Sequence, residues 1–337
     1  MNQRILKRRA RSIVCVMSLS LLGVAFAGCG MEVVSTEEAE AEMTREAEDE
    51  FASIGFVAAD HEDLTEAALF FLKSSVRENL GDENEGTDAG FMKLMSEYHF
   101  DNCRFLETTA RLRSQYSTLV RYLDPNAFRD KDAQSIFGQI LHTMQDFYSH
   151  SNWTEHQKTQ ATMKIVPLGD FLPRQLVPGM YVGDGMYVLQ NGIPSDFQIV
   201  GNYSRTQKVP YVRQIINGVS TLIGFGLITG TYSDNHDPSA CVPGATIRHG
   251  GLIYSQSDEP VLAKDDSGTY LHDEAKALAR SQSREEFCRL TRLATLRYGE
   301  PGRIKLNTTW GVTDAEYKAH CPTSVSKVIA VFSASLT

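Results

Sequence analysis

Apolar side chains recur every three or four positions in several stretches of the chain, the spacing of helices that bury one face. In HEDLTEAALFFLKSSVREN, Leu64, Ala67, Ala68, Phe71 and Leu72 keep that rhythm, with Asp63 or Thr65 near the start where a helix N-terminus favours them. The same spacing predicts helix between Phe91 and Leu119, from about Asp132 to His150, and around Val209 to Ile228. It returns from His272 to Leu296, where Ala275, Leu278, Ala279, Phe287, Leu290 and Leu293 recur. GDENEGTDAG, from Gly81 to Gly90, has loop composition. Beyond Trp153 the rhythm fails: Pro167, Gly169, Pro173, Pro178, Gly179, Gly183, Gly185, Gly192 and Pro194 predict a loop-rich or short-stranded insertion. The expected fold is therefore mainly α.

The first residues break this pattern. Lys7, Arg8, Arg9 and Arg11 precede an apolar run from Ile13 to Phe26, followed by Ala27, Gly28 and Cys29. The run is too short to span a bilayer comfortably, and small residues before a cysteine resemble a bacterial lipobox. Residues 1–28 are expected to be a lipoprotein signal peptide with Cys29 as the lipidated residue. Phe26 departs from the leucine usual there, and Gly30 in place of aspartate favours the outer membrane over the inner. Residues 29–51, rich in glutamate and alanine, read as an acidic linker. Residues 52–300 then form the folded domain and 301–337 a C-terminal extension.

The chain has 337 residues, 42% of them hydrophobic, enough to bury one sizeable core or two modest ones. A formal charge of -9 leaves no broad basic surface for duplex nucleic acid. Apart from Cys15 and Cys29, four cysteines remain, Cys103, Cys241, Cys288 and Cys321, an even number that suits two disulfides in an oxidising compartment. Their spacing does not reveal the pairing.

One segment carries chemistry. In LHTMQDFYSHSNW, His142, Asp146 and His150 follow at four-residue steps, so a helix projects all three from nearly one face. Two imidazoles and a carboxylate suit a borderline ion such as zinc, and a carboxylate can bridge two ions. A polar network inside a helical bundle would have the same spacing, so the pattern alone leaves both readings open.

LHTMQDFYSHSNW resembles the hallmark segment of the Het-C family of fungal heterokaryon-incompatibility proteins, their bacterial relatives, and an animal protein with a similar module ahead of a von Willebrand A domain. The likeness runs from about residue 52 to about 296 and is supported by DHEDLTEAAL (60–69), YHFDNCRF (98–105), RHGG (248–251) and LHDEAKALA (271–279). That module is more distantly similar to zinc-dependent bacterial phospholipases C and single-strand-specific zinc nucleases. The resemblance implies a helical bundle with two or three zinc ions, held by His61, His99, His142, Asp146, His150 and His272, with Asp146 as the bridging, catalytically central carboxylate. A further aspartate is expected between the first two histidines, and Asp88 is preferred over Asp82. Asp101 is expected to orient an imidazole, and His249 and Glu274 to lie in or near the pocket. Departures are also clear: Lys276 stands where a glutamate is expected, Asn152 where a histidine is expected, and no N-terminal tryptophan adjoins the domain.

The expected function is hydrolysis of a phosphate ester, phospholipid foremost, beside the membrane that a lipid anchor would hold the domain against, in the bacterial cell envelope. The alternatives are a single-strand nuclease or nucleotidase, for which Tyr181, Tyr187 and Tyr203 are available to stack bases, and a non-catalytic metal-stabilised interaction or toxin module.

Overall fold

A computed structural model describes residues 60–89, 91–92, 95–200, 211–230, 264 and 271–321. The expectations for Cys29, the signal peptide, the acidic linker, Cys241 and His249 lie outside these residues. The described residues fall in one unit, Glu48–Thr337. Among the described residues it is mainly α, with eight helices and a small sheet.

The helices are α1 (Asp60–Ala68), α2 (Ser74–Glu85), α3 (Ser96–His99), α4 (Phe105–Tyr122), α5 (Asp130–His150), α6 (Trp153–Gln157), α7 (His272–Trp310) and α8 (Asp314–His320). α5 is central, packing on α2, α3, α4 and α7. Every residue of it from Ile140 to His150 is buried, so its polar side chains there must find partners inside the protein. The first predicted helix is two: α1 ends at Ala68, and the chain turns through Leu69, Phe71 and Leu72, all buried, before α2. Hydrophobic contact holds these residues inside without a continuous helix.

The loop predicted at 81–90 is instead the last turn of α2 followed by a 3-10 turn, Gly86–Asp88. Gly81 lies in that helix because a Cβ there would meet Glu62 Cγ at 2.6 Å, so glycine permits the close approach of α1. Gly138 does the same for α2 and α5: a Cβ would sit 2.6 Å from Glu83 Cβ and 3.0 Å from the Leu80 carbonyl oxygen. The helix expected between Phe91 and Leu119 is interrupted after His99, where Phe100, Asn102 and Cys103 adopt positive φ of 54°, 55° and 50°.

The sheet has strands β1 (Tyr181–Gly183), β2 (Met186–Val188), β3 (Phe197–Val200), β4 (Tyr211–Ile216) and β5 (Val219–Leu227), in the order β1-β2-β5-β4-β3. The helix expected around Val209–Ile228 is thus a β-hairpin, with Ile216 opposite Val219 across Asn217-Gly218. Both turn residues have positive φ, 52° and 78°, the conformation an Asn-Gly turn supplies to match the strand twist.

α7 runs past the expected domain boundary at 300, with a kink at Gly299 before Pro301. Leu306 and Trp310 are buried, and Trp310 packs on Phe137 and Phe287 with ring centroids 5.7 and 6.3 Å away. Lys73 N–H donates to the Trp310 carbonyl, so the first part of the extension closes the core against the start of α2. Cys288 and Cys321 form a disulfide that ties α7 to the end of α8. Cys103 is disulfide-bonded as well.

Candidate metal centre

Three imidazoles from three helices meet one carboxylate of α5. His61 projects from α1, His99 from α3 and His142 from α5 itself, one turn before Asp146. His99 Nδ1 and His142 Nε2 lie 2.8 and 2.9 Å from Asp146 Oδ2, and 3.0 Å from each other. His61 Nε2 lies 3.2 Å from Asp146 Oδ1. All four side chains are buried.

Asp88, from the 3-10 turn after α2, borders the group. Its Oδ1 is 3.5 Å from His142 Nε2 and 3.8 Å from His99 Nδ1, and its Oδ2 is 3.9 Å from His61 Nε2. Two sets of ligand-type atoms result, His61–His142–Asp146 and Asp88–His99–His142, each with its atoms within 4.8 Å of one another. Sharing His142, they form one continuous pocket of donors.

His150 shares the face of α5 but stands at its edge, with Nδ1 4.0 Å from Asp146 Oδ2, 3.5 Å from Asp101 Oδ1 and 3.3 Å from the His99 carbonyl oxygen. Asp101 therefore sits beside His150, on the strained turn that follows His99. His272, at the start of α7, is buried with Nδ1 2.8 Å from the Lys264 carbonyl, and it belongs to neither ligand set among the described residues. Glu274 is engaged by the Lys158 ammonium, so its carboxylate is committed to an ion pair with the end of α6. His156 is buried against the Asp184 carbonyl.

The electrostatics follow from burial opposed by charge. Burial disfavours a proton on His61, yet the Asp146 and Asp88 carboxylates outweigh it and push that imidazole up to about 9. His99 is raised in the same way, against burial, chiefly by Asp146. His142 is lowered, by burial first and by its neighbour His61. Burial works to raise the Asp146 carboxyl, but His142, His150 and His61 hold it well below the usual carboxylate range.

Asp146 Oδ1 tests whether these residues fit a metal. It is buried and accepts no hydrogen bond, although His61 Nε2 is close by. An ionised oxygen left so, within reach of an imidazole nitrogen and beside two further imidazoles, is a place that favours a cation. The donors, imidazole nitrogen and carboxylate oxygen from separate rigid elements, are those borderline divalent ions prefer. The residues fit a metal ion.

Two side chains at the site carried no signal in the sequence reading. Gln145 Oε1 lies 2.8 Å from His61 Nδ1 and Asn84 Oδ1 lies 3.0 Å from His142 Nδ1. Gln145 stands three residues after His142, so the helical face that marks the ligands also includes it.

A family model described as the VWA7 N-terminal domain, a von Willebrand-related animal protein module, matches residues 72–172. The matched segment contains Asp88, His99, His142, Asp146 and His150 and stops short of His61 and His272. No curated protein and no solved structure matches the chain. Over those residues, which include the whole HxxxDxxxH face of α5, the chain is similar to that animal module.

Proposed function

We propose that the cluster around Asp146 binds zinc, two or three ions in all, and that the domain hydrolyses phosphate esters, phospholipid foremost. The observation that carries this reading is the buried Asp146 Oδ1, which accepts no hydrogen bond while three imidazoles face its carboxylate. His61, His99, His142 and Asp146 would hold the metal, with Asp88 at the more exposed side. Divalent ions in such a site supply Lewis acidity toward a phosphoryl oxygen and lower the pKa of water, the two needs of phosphate-ester hydrolysis.

The residues have their own parts. The three helices fix the imidazoles before any ligand arrives, so little reorganisation accompanies binding. Asp88, with a side chain 36% exposed, is the carboxylate nearest solvent and would face an incoming substrate. The likeness of LHTMQDFYSHSNW to Het-C proteins, and through them to zinc-dependent phospholipases C, supports the choice of substrate class. On this reading Cys29 carries a lipid anchor that keeps the domain at the outer membrane.

The test is metal content by mass spectrometry on purified protein, followed by hydrolysis of a choline phospholipid against single-stranded DNA. Stoichiometric zinc with phosphocholine release supports the proposal. Stoichiometric zinc with DNA cleavage alone replaces phospholipid by a nucleic-acid substrate, and zinc without turnover of either identifies a metal-stabilised module. Protein that folds and never takes up metal overturns the proposal.

A further inference from the structure

His61 and His142 each turn one ring nitrogen toward Asp146 and the other toward a side-chain amide oxygen, and which ring nitrogen carries the proton depends on how those amides are oriented. The orientation is decided from α7. Ser283 Oγ lies 2.9 Å from the Ala279 carbonyl oxygen, an atom that only accepts, so the hydroxyl hydrogen is committed there. Toward Gln145 Nε2, 3.1 Å away, Ser283 can then only accept. Gln145 must present its NH2 to Ser283 and to Thr65 Oγ1, 3.1 Å away, and its oxygen to the other side.

That oxygen receives two donors. Asn84 Nδ2 lies 3.1 Å from it and His61 Nδ1 2.8 Å. Asn84 also donates to Thr65 Oγ1 at 2.7 Å, so both hydrogens of its NH2 are placed and its oxygen is left for His142 Nδ1. Turning the Gln145 amide over would set its NH2 against the Asn84 NH2 and its oxygen against the Ser283 acceptor. Both contacts are repulsive and buried, which fixes a single orientation.

We propose that Asn84 and Gln145, oriented by Ser283 and Thr65, are positioning residues that hold His61 and His142 with the proton on Nδ1 and the Nε2 lone pair directed at the metal. The inference rests on the metal reading above but concerns side chains that make no contact with the ion. His99 completes the set by another route: its Nε2 lies 3.2 Å from the Met92 carbonyl oxygen, which keeps the proton there and leaves Nδ1 for the site. Such outer partners fix ring orientation and raise ligand basicity, and removing one typically costs about 10- to 100-fold in metal affinity.

Two measurements on the full chain test this. Zinc affinity is read by competition with a chromophoric chelator for the parent, Asn84→Leu, Asn84→Asp, Gln145→Met and Ser283→Ala, each first checked for helical circular dichroism and cooperative melting. Asn84→Leu and Gln145→Met are expected to lose about 10- to 100-fold. Asn84→Asp, which keeps an acceptor for His142, is expected to recover most of that loss, as a purely packing role would not predict. Ser283→Ala, which is the mildest change to the core, keeps the proposal testable should the others fail to fold, with a loss of several-fold expected. In parallel, two-bond 15N–1H spectra of the metal-free parent report the imidazole protons and are expected to place one on Nδ1 of both His61 and His142. Folded Asn84→Leu and Gln145→Met variants with affinity within twofold of the parent, or a bare Nδ1 on His142, overturn the proposal. A parent that binds no zinc but carries protons on both Nδ1 atoms overturns the metal reading and leaves the amide lock standing.

Discussion

Asp146→Asn is isosteric and removes one charge, which makes it the cleanest probe of the cluster. In metal-free protein, His61 is pushed up to about 9 from an ordinary 6.5, with burial opposing and Asp146 the strongest influence in favour. That gap corresponds to roughly 3 kcal/mol at about 1.4 kcal/mol per pH unit. The raised value means the stabilisation is present in full below about pH 6.5 and is lost as pH rises through about 9. The depressed Asp146 carboxyl reports the other side of the same interaction, so it is counted once. Calorimetric melts of parent and variant in excess chelator should therefore differ by roughly 3 kcal/mol at pH 6, about 6 to 12 °C for a domain of this size. The gap should close by pH 10, where a neutral His61 facing a carboxylate no longer helps. His99, raised chiefly by the same carboxylate, adds to the difference with the same sign, whereas groups that Asp146 does not touch cancel. A gap that is constant across pH, or that widens toward pH 10, refutes the argument that a His61–Asp146 charge pair sits at the centre of the site.

Further outcomes are expected elsewhere. His142→Ala should abolish stoichiometric zinc, measured by mass spectrometry, and should forgo the roughly 3 kcal/mol that a ligand at 100 times its Kd adds to parental stability. Removing the Cys288–Cys321 disulfide by double substitution to serine opens a loop of 33 residues' separation and should cost about 4 kcal/mol, read as a lower melting temperature in non-reducing buffer. Gly138→Ala should push α2 away from α5, since its Cβ would also lie 3.1 Å from Asn84 N, at a cost of about 1–3 kcal/mol and with weaker zinc binding through the displaced Asn84. An unchanged melting temperature and zinc affinity would show that the crossing relaxes without strain.

Much of the site was legible because its candidate ligands obey a rule visible in one dimension. His142 and Asp146 share a helical face, and a motif likeness led to His61 and His99, which meet Asp146 in space, and to Asp88, which borders their imidazoles. His272 and Glu274 came from the same likeness, yet they lie at the start of α7, one on the Lys264 carbonyl and the other on Lys158. Gln145 keeps helical spacing from His142, but an amide is not a metal-ligand type, and Asn84 reaches His142 from another helix, which leaves no periodic trace. The hairpin at Tyr211–Leu227 was misread as helix because Val212, Ile215, Ile216, Val219 and Ile223 also satisfy three- and four-residue spacing. Asn217-Gly218 between β-branched residues was the signal that should have outweighed it. The break after Ala68 was hidden because Phe71 and Leu72 are buried in a turn as they would be in a helix.

Ser283 stands 138 positions after Gln145, and Trp310, which caps the core, follows later still. During synthesis His61 thus emerges early and waits for most of the chain before its orienting partners exist. A product interrupted before α7 would therefore carry the whole HxxxDxxxH stretch yet lack the hydroxyl that orients Gln145.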